Sequence, residues 1–204
     1  MGKNIIPLLS FIAIVFMESC APTKATFNST LSPNITSEKI SSIAIIPFTG
    51  IKADKADLGK IDTTAINALD KKKIKIKVTG SYAVNKLLPD SLARELSNYS
   101  NNYGKNEVED SRFISKIGKE LKSDAIIFGN VSNIIQNNAV YGDKFGDTKI
   151  TLKIYMYSST TGKLLWKAES QGTVGTLTTN DPAPPVIEAV FAAVKEIFMN
   201  FPLK

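Results

Sequence analysis

Several stretches of the chain alternate apolar with polar residues, or run apolar without a break, as β-strands do. Ile40–Phe48 is a short apolar run closed by a proline and a glycine, which favours a buried strand. Residues 73–78 alternate lysine with isoleucine or valine, which predicts a strand with one lysine face. Ala125–Ile135 predicts another strand. Residues 149–157 also alternate regularly, as a strand does. A turn that ends in glycine then reverses the chain direction and leads into Leu164–Trp166.

Apolar residues at helical spacing predict about three helices. The first contains Leu88–Tyr99, the second covers residues 110–122, and the third begins at Pro184-Pro185. Ile51–Lys72 is polar with charges of both signs, and we interpret it as a surface excursion. This order predicts an α/β (α+β layered) domain, with a mixed parallel/antiparallel sheet that ends in a C-terminal meander. Its predicted core comprises Ile43, Ile45, Ile126, Phe128, Ile150, Leu152, Ile154, Trp166, Val190 and Val194.

The N-terminus has the layout of an export signal. Lys3 precedes the apolar run Ile5–Met17, whose 13 residues are fewer than the roughly 20 that span a membrane. Met17–Cys20 resembles the lipobox of bacterial lipoproteins, with an apolar residue at −3, a small residue at −1 and then the cysteine. The resemblance implies that a signal peptide, residues 1–19, is removed and that Cys20 carries acyl chains such as palmitate as a stable membrane anchor. The alternative is a free cysteine buried in a folded N-terminal helix.

The segment after the cysteine predicts a linker. Ala21–Lys39 is rich in Ser, Thr, Asn and Pro and has no apolar periodicity. We therefore predict that residues 20–39 comprise the lipidated cysteine and a flexible tether with a reach of roughly 25 Å. The folded domain then spans residues 40–204, and a chain that starts near Ser37 is expected to fold alone. Ala21 stands where enterobacterial lipoproteins retained in the inner membrane carry aspartate, which favours the outer membrane, with the body in the periplasm.

The amino-acid composition excludes several classes of catalytic and metal-binding site. The chain has 204 residues, 25 Lys+Arg, 19 Asp+Glu, a net charge of +6, no histidine and one cysteine. The absence of histidine excludes Ser-His-Asp and Cys-His catalysis and His-ligated zinc. A single cysteine excludes an intrachain disulfide and a CxxC redox pair. Neither the dinucleotide-binding nor the Walker A glycine pattern occurs. We predict no cofactor, and an enzyme is the least favoured interpretation.

Three groups of acidic residues are candidates for metal binding or catalysis, and each has a simpler explanation. Asp143 and Asp147 flank a glycine-rich loop, where aspartate is an ordinary turn residue. Asp54 and Asp57, or Glu107, Glu109 and Asp110, could supply the paired carboxylates that glycosidases use. A charged surface or a helix N-terminus explains both groups as well. We therefore predict no catalytic and no metal-ligating residue.

Lys73, Lys75 and Lys77, here called the lysine surface, are the most conspicuous local feature. Lysines on an edge strand discourage edge-to-edge aggregation, which is one explanation of this pattern. The other is a basic face for anionic lipid headgroups, cell-wall polymer or an acidic protein. Both interpretations stay open, and the lysine surface is our candidate partner-binding surface. An exported, anchored protein does not meet nucleic acid, so we expect none among its partners.

Three segments are similar, in order and spacing, to the CsgG/LpoB/TolB-N-like group of bacterial envelope proteins. Ile43–Phe48 (IAIIPF) resembles the opening strand of that group, Ile117–Val131 its helix–strand unit, and Thr160–Trp166 (TTGKLLW) its turn and strand. The resemblance covers roughly residues 40–201 and implies a similar fold. Members include secretion-channel subunits, peptidoglycan-synthase activators and Tol-system domains, so the fold alone does not select a function.

These observations lead to one expected function and two alternatives. We expect a membrane-anchored lipoprotein that acts by protein–protein contact in envelope assembly or secretion, as an activator or a complex subunit, and homo-oligomers are a possible form of it. The first alternative is a CsgG-like subunit of an outer-membrane secretion channel. It is less favoured because we find no pair of spare hairpins long enough to enter a membrane. The second is an envelope enzyme, disfavoured by the missing histidine and the missing motifs.

Overall fold

The alternating segments assemble into one sheet, and the segments of helical spacing cover both of its faces. The computed structural model describes residues 23–33, 35, 38–106, 110–142 and 144–203. In chain order its elements are β1 Thr23–Leu31, β2 Ser42–Ile45, α1 Lys55–Lys71, β3 Lys77–Thr79, α2 Ser81–Leu87, α3 Asp90–Asn106, α4 Ser111–Glu120, β4 Ala125–Asn137, β5 Asp147–Ser158, β6 Leu164–Gly175 and α5 Val186–Met199.

The six strands form a mixed sheet in the order β1-β6-β5-β4-β2-β3. β2 is parallel to both of its neighbours, β3 and β4, whereas the neighbouring pairs β4–β5, β5–β6 and β6–β1 are antiparallel. This confirms the predicted α/β layered class, its mixed sheet and its meander. Within the described residues there are five helices rather than about three.

The helices form two layers, one on each face of the sheet. α1 and α5 cover one face, and α2, α3 and α4 cover the other. Alternation along β4 divides its side chains between the two cores, so that Ile127 packs beneath α1 and α5 whereas Ile126 packs beneath α3 and α4. All ten predicted core residues are buried: Ile43, Ile45, Ile126, Phe128, Ile150, Leu152, Ile154, Trp166, Val190 and Val194.

The tether prediction differs from the structure. Thr23–Leu31, within the segment expected to be flexible, forms β1 and pairs with β6 from Thr23↔Val174 to Leu31↔Trp166. Backbone pairing with β6 and the packing of Phe27 on the core stabilise a segment whose own composition is polar. The folded unit therefore includes Thr23 and does not begin at residue 40. The predicted signal peptide and Cys20 lie outside the described residues.

Ile51–Lys72, interpreted from its polarity as a surface excursion, contains helix α1 instead. Asp54 accepts a hydrogen bond from the backbone N–H of Asp57, and the Asp57 carboxylate accepts one from the N–H of Asp54, which makes a capping box. One face of the helix is buried against α5 and the sheet through Ile61, Ala65, Ala68 and Leu69. Asp62 is buried as well and accepts hydrogen bonds from Ser81, whereas most of the other residues are exposed or half-buried, which explains the polar composition.

The lysine strand is shorter than predicted. Only Lys77–Thr79 forms β3, because Lys73 adopts the left-handed conformation with φ of 59° and residues 74–76 precede the pairing with β2. The predicted alternation of sides is nevertheless present. Ile74, Ile76 and Val78 pack against the core, whereas the lysine surface is exposed.

Two motifs of the envelope-protein resemblance hold the ends of strands together. Asp124 accepts hydrogen bonds from the backbone and side chains of Ser41 and Ser42, at 2.7–2.9 Å, and so joins the start of β2 to the start of β4. Burial acts to raise the pKa of Asp124, but these hydrogen bonds outweigh it and hold the pKa below its usual range. In the turn after β5, Gly162 has a φ of 67° and lies against the backbone of Ser111 at the start of α4, a position that excludes a side chain.

Candidate functional site

Exposed apolar side chains gather at one end of the sheet, around the hairpin that joins β4 to β5 and the loop that follows β6. Tyr141 is 85% exposed, Phe145 61% and Val140 52%. Scattered apolar residues are normal on protein surfaces, but a group at a loop tip indicates a contact surface. We call this group the apolar end; its members are Ile134, Ile135, Val140, Tyr141, Phe145 and Leu177.

The hairpin presents these residues because its backbone is held at its base. A β-bulge between Ser132 and Ile135 carries Asn133 in the left-handed conformation. Further along, the N–H groups of Val140 and Lys144 donate to each other's carbonyl oxygens at 2.9 and 3.0 Å. The tip residues Val140, Tyr141 and Phe145 are not part of the described core beneath α3 and α4.

Asp147, at the base of the hairpin, is ion-paired. The described residues of β4 and β5 therefore present no free carboxylate to the apolar end. Asp147 lies 2.6 Å from the ammonium of Lys149 and accepts a 2.7 Å hydrogen bond from the side-chain amide of Asn137. The hydrogen bond from Lys149, followed by that from Asn137, holds the pKa of Asp147 below its usual range. Asp147 therefore stabilises the strand ends, and Asp143, its predicted companion, lies outside the described residues.

The first strand begins at this same end of the molecule. Thr23 is paired with Val174, Val174 with Thr148, and Thr148 with Gln136. These four residues form one row across the sheet, immediately before the hairpin tip. The chain therefore enters the fold beside the apolar end, and Cys20 lies only three residues before Thr23 in the sequence.

The lysine surface lies at the opposite end and the opposite edge of the sheet. β3 is an outer strand of the sheet, and Lys77 pairs with Ser42, next to the row that contains Ile43 and the first residue of β4, Ala125. Lys73, Lys75 and Lys77 are all exposed. Lys77 begins β3, and Lys73 and Lys75 lie in the segment just before it, so both interpretations of the lysine surface stay open.

A cavity of about 280 Å³ lies at the carboxyl end of β2, beside α2 and α3. Its wall is apolar or neutral: Ile46, Pro47, Phe48, Thr49, Gly50, Ile51, Asn85, Ala93, Leu96, Ser97, Ser100 and Asn101. The Ser100 hydroxyl is buried there and has no hydrogen-bond partner within the described part of the chain. Among the described residues, the wall offers hydroxyl and amide groups but none of the acidic or basic side chains that proton transfer uses.

The candidate acidic residues that the structure describes have structural roles. Asp54 and Asp57 form the capping box of α1, and Asp110 accepts hydrogen bonds from the N–H groups of Arg112 and Phe113 at the start of α4. Glu107 and Glu109 lie outside the described residues. In the part of the chain that the structure describes, no group of three or more Cys, Asp or Glu side chains is arranged to hold a metal ion. None of the described helices has the length and hydropathy needed to cross a bilayer.

Comparison with known proteins gives similarity in fold alone. No family model matches the sequence, and no curated protein matches it. The PelC dodecamer from Paraburkholderia phytofirmans superposes with a TM-score of 0.50 at 10% identity, over 89% of this chain and 99% of that chain. A variant of that dodecamer gives a TM-score of 0.48 at 10% identity, over 89% and 100% of the two chains. A lipoprotein from Neisseria meningitidis gives 0.40 at 17% identity, over 78% and 99%. The chain therefore shares the fold of PelC, and membership of the CsgG/LpoB/TolB-N-like group stays a prediction.

Proposed function

We propose that this chain is a lipoprotein of the bacterial cell envelope, anchored through Cys20, that acts by contact with other envelope proteins in assembly or secretion. The observation that carries the proposal is the start of the sheet three residues after Cys20. Removal of the signal peptide would make the lipidated Cys20 the first residue of the mature chain, and a folded strand follows it almost directly. This arrangement holds the folded body close to the membrane. The proposed location is the outer membrane, with the body in the periplasm.

The contact mechanism is supported by what the described polar residues do. Of the carboxylates that are candidates for catalysis, those in the described residues cap helices α1 and α4, and Asp147 is paired at the hairpin base. The described residues that line the cavity beside β2 are neutral. The two conspicuous exposed features of the protein are instead the lysine surface and the apolar end. Basic and apolar patches of this kind suit contact with other macromolecules. We therefore propose that the protein performs no chemistry of its own.

Cys20→Ala is expected to move the protein from the membrane fraction to the soluble or unprocessed pool, because the thiol that accepts the lipid is gone. The measurement is fractionation together with metabolic labelling by a fatty acid. Lys24→Ala, on the exposed side of β1, is the matched control and should remain in the membrane fraction with its label. A Cys20→Ala protein that keeps both its acyl label and its membrane location would refute the lipoprotein assignment.

Replacing Lys73, Lys75 and Lys77 together by Glu is expected to weaken recovery of the envelope partner without unfolding the protein. Ile74, Ile76 and Val78 would still pack inward, so the melting temperature should change little. Electrostatic attraction falls with ionic strength, so wild-type recovery should decline with salt whereas recovery with the variant stays low. To measure this, membranes are incubated at several salt concentrations and then cross-linked, and the amount of partner recovered by pulldown is compared.

A variant with the same change of charge elsewhere provides the control. Lys52, Lys60 and Lys163 are also exposed, and their replacement by Glu should leave partner recovery intact. If the lysine-surface variant recovers the partner fully at low salt, these lysines serve only to protect an edge strand. The partner-binding surface then lies elsewhere.

The second candidate is a subunit of a closed homo-oligomer, including a CsgG-like secretion channel. It is favoured by the shared fold with PelC, whose structure is a dodecamer. Light scattering on detergent-extracted protein separates the two candidates. One discrete mass of many identical subunits favours the ring, and a single chain bound to one foreign protein favours the activator.

A further inference from the structure

The start of β1 limits how far the folded body can lie from its anchor. Ala21 and Pro22 are the only residues between Cys20 and Thr23, the first residue of β1. Consecutive Cα atoms are about 3.8 Å apart, so the Cα of Thr23 can lie no more than about 11 Å from that of Cys20. With the flexible tether that the sequence predicted, the body could have taken any orientation. With β1 in the sheet, the end that carries Thr23 must stay close to the bilayer.

The hairpin tip of the apolar end, with Val140, Tyr141 and Phe145, projects past Thr23 on the same side of the molecule. The row Thr23, Val174, Thr148 and Gln136 crosses the sheet, and strands in a row are about 4.8 Å apart. β4 is therefore only about 15 Å from β1. Beyond Gln136 the chain continues outward to the bridge between Val140 and Lys144 before it returns at Asp147. A bilayer that holds a lipid on Cys20 is thus within reach of the hairpin tip.

The side chains at the tip suit the interfacial region of a bilayer. Tyrosine places an apolar ring in the acyl boundary and its hydroxyl among the headgroups, and lysine extends its ammonium toward the headgroups. Tyr141, Phe145 and Val140 project from the hairpin, with Lys144 exposed between them. A surface of aromatic, aliphatic and cationic side chains binds membranes through buried apolar area and attraction to anionic lipids.

We propose that the apolar end is a membrane-contact face, in which Val140, Tyr141 and Phe145 enter the same bilayer leaflet that holds the lipid on Cys20. This proposal rests on the proposed lipid anchor. The lipid and the hairpin tip are two separate attachments to one surface, so together they fix the orientation of the body. The strands then stand away from the membrane, with the tip against it.

The orientation places the lysine surface away from the bilayer. β3 is level with the start of β4, and Gln136 lies eleven residues further along that strand than Ala125. At about 3.3 Å per residue, Lys77 is roughly 35 Å from the row that contains Thr23. The lysine surface then faces a partner in the aqueous compartment, and lipid headgroups of the anchoring leaflet do not reach it.

The test uses the full chain, lipidated and reconstituted into vesicles of phosphatidylethanolamine and phosphatidylglycerol. Cys20 is the single cysteine and carries the lipid, so Tyr141→Cys supplies the only free thiol for a polarity-sensitive fluorophore. We expect blue-shifted emission that nitroxide-bearing lipids quench several-fold more strongly than water-soluble quenchers do. Phe145→Cys is a second reporter from the same face, and Lys75→Cys on the lysine surface is the control, with emission typical of water.

Each remaining result would overturn the proposal in a recognisable way. If the intact mass shows no lipid on Cys20, the lipoprotein assignment fails and the membrane-contact face fails with it. If Cys20 is acylated but both hairpin labels respond like the Lys75 label, the lipoprotein assignment stands and only the membrane-contact face is refuted. If the hairpin labels are shielded from water but insensitive to lipid-borne quenchers, protein covers the apolar end, as a second copy of this chain would.

Discussion

Replacement of Ile126 by aspartate is expected to abolish cooperative folding. Ile126 is fully buried near the start of β4, beneath helices α3 and α4, and the surrounding side chains in that core are almost all apolar. An unpaired charge there costs several kcal/mol, on the order of the whole stability of a domain of this size. Protonation of the carboxyl removes the charge but leaves a polar group without partners in place of a packed side chain.

Thermal unfolding followed by circular dichroism measures this effect. Ile66 on α1 is a suitable control, because its side chain is 36% exposed and Ile66→Asp should change the melting temperature only slightly. Leu152→Asp tests the other core, beneath α1 and α5, and should be as damaging as Ile126→Asp. A soluble Ile126→Asp variant with a cooperative transition close to that of the wild type would contradict the core assignment.

The elements that could be predicted from sequence are those whose own residues determine them. β5 alternates from Ile150 to Met156 because one face is packed by α5, and that packing requires period two in the sequence itself. Ile43 and Ile45 occupy a central strand covered on both faces, which requires an apolar run. In these places the local pattern and the tertiary environment agree.

The elements that were missed depend on partners elsewhere in the chain. β1 has mostly exposed side chains, so its sequence resembles a linker, and β6 provides the backbone pairing that makes it a strand. α1 did show a signal, namely the Asp54–Asp57 capping box followed by Ile61 and Ala65 at helical spacing. Its polar solvent face obscured that signal.

Of the two candidate surfaces, the lysine surface could be predicted from the sequence and the apolar end could not. The exposure of Lys73, Lys75 and Lys77 followed from alternation, because each lysine is flanked by a residue that packs inward. The apolar end was missed, because Tyr141 and Phe145 look like ordinary apolar residues until the structure shows that both side chains are exposed at the end of a long hairpin. Two aromatic residues within a glycine-containing turn were the available signal. The proximity of this end to Cys20 depends on β1 and could not be predicted without it.

Removal of β1 is expected to destabilise the body, contrary to the sequence-based expectation that a chain starting near Ser37 folds alone. A chain that starts at Glu38 lacks the nine paired residues of β1, the packing of Phe27 and the buried side chain of Ile35. Part of this loss is offset because β1 no longer has to be ordered, so we expect a net cost of about 3 kcal/mol. For a chain of this length that lowers the melting temperature by roughly 10 °C.

The comparison is with a chain that starts at Thr23, which retains β1 but lacks the lipid. Loss of β1 also exposes the backbone edge of β6, whose long unpaired row of N–H and C=O groups can pair with another chain. The shorter chain should therefore aggregate on heating at concentrations where the longer one melts reversibly. Phe27→Ser in the longer chain separates the two causes, since it removes apolar packing but keeps the edge covered. If both chains melt at the same temperature without aggregation, β1 is a removable extension, and the short connection from Cys20 no longer fixes how the body sits on the membrane.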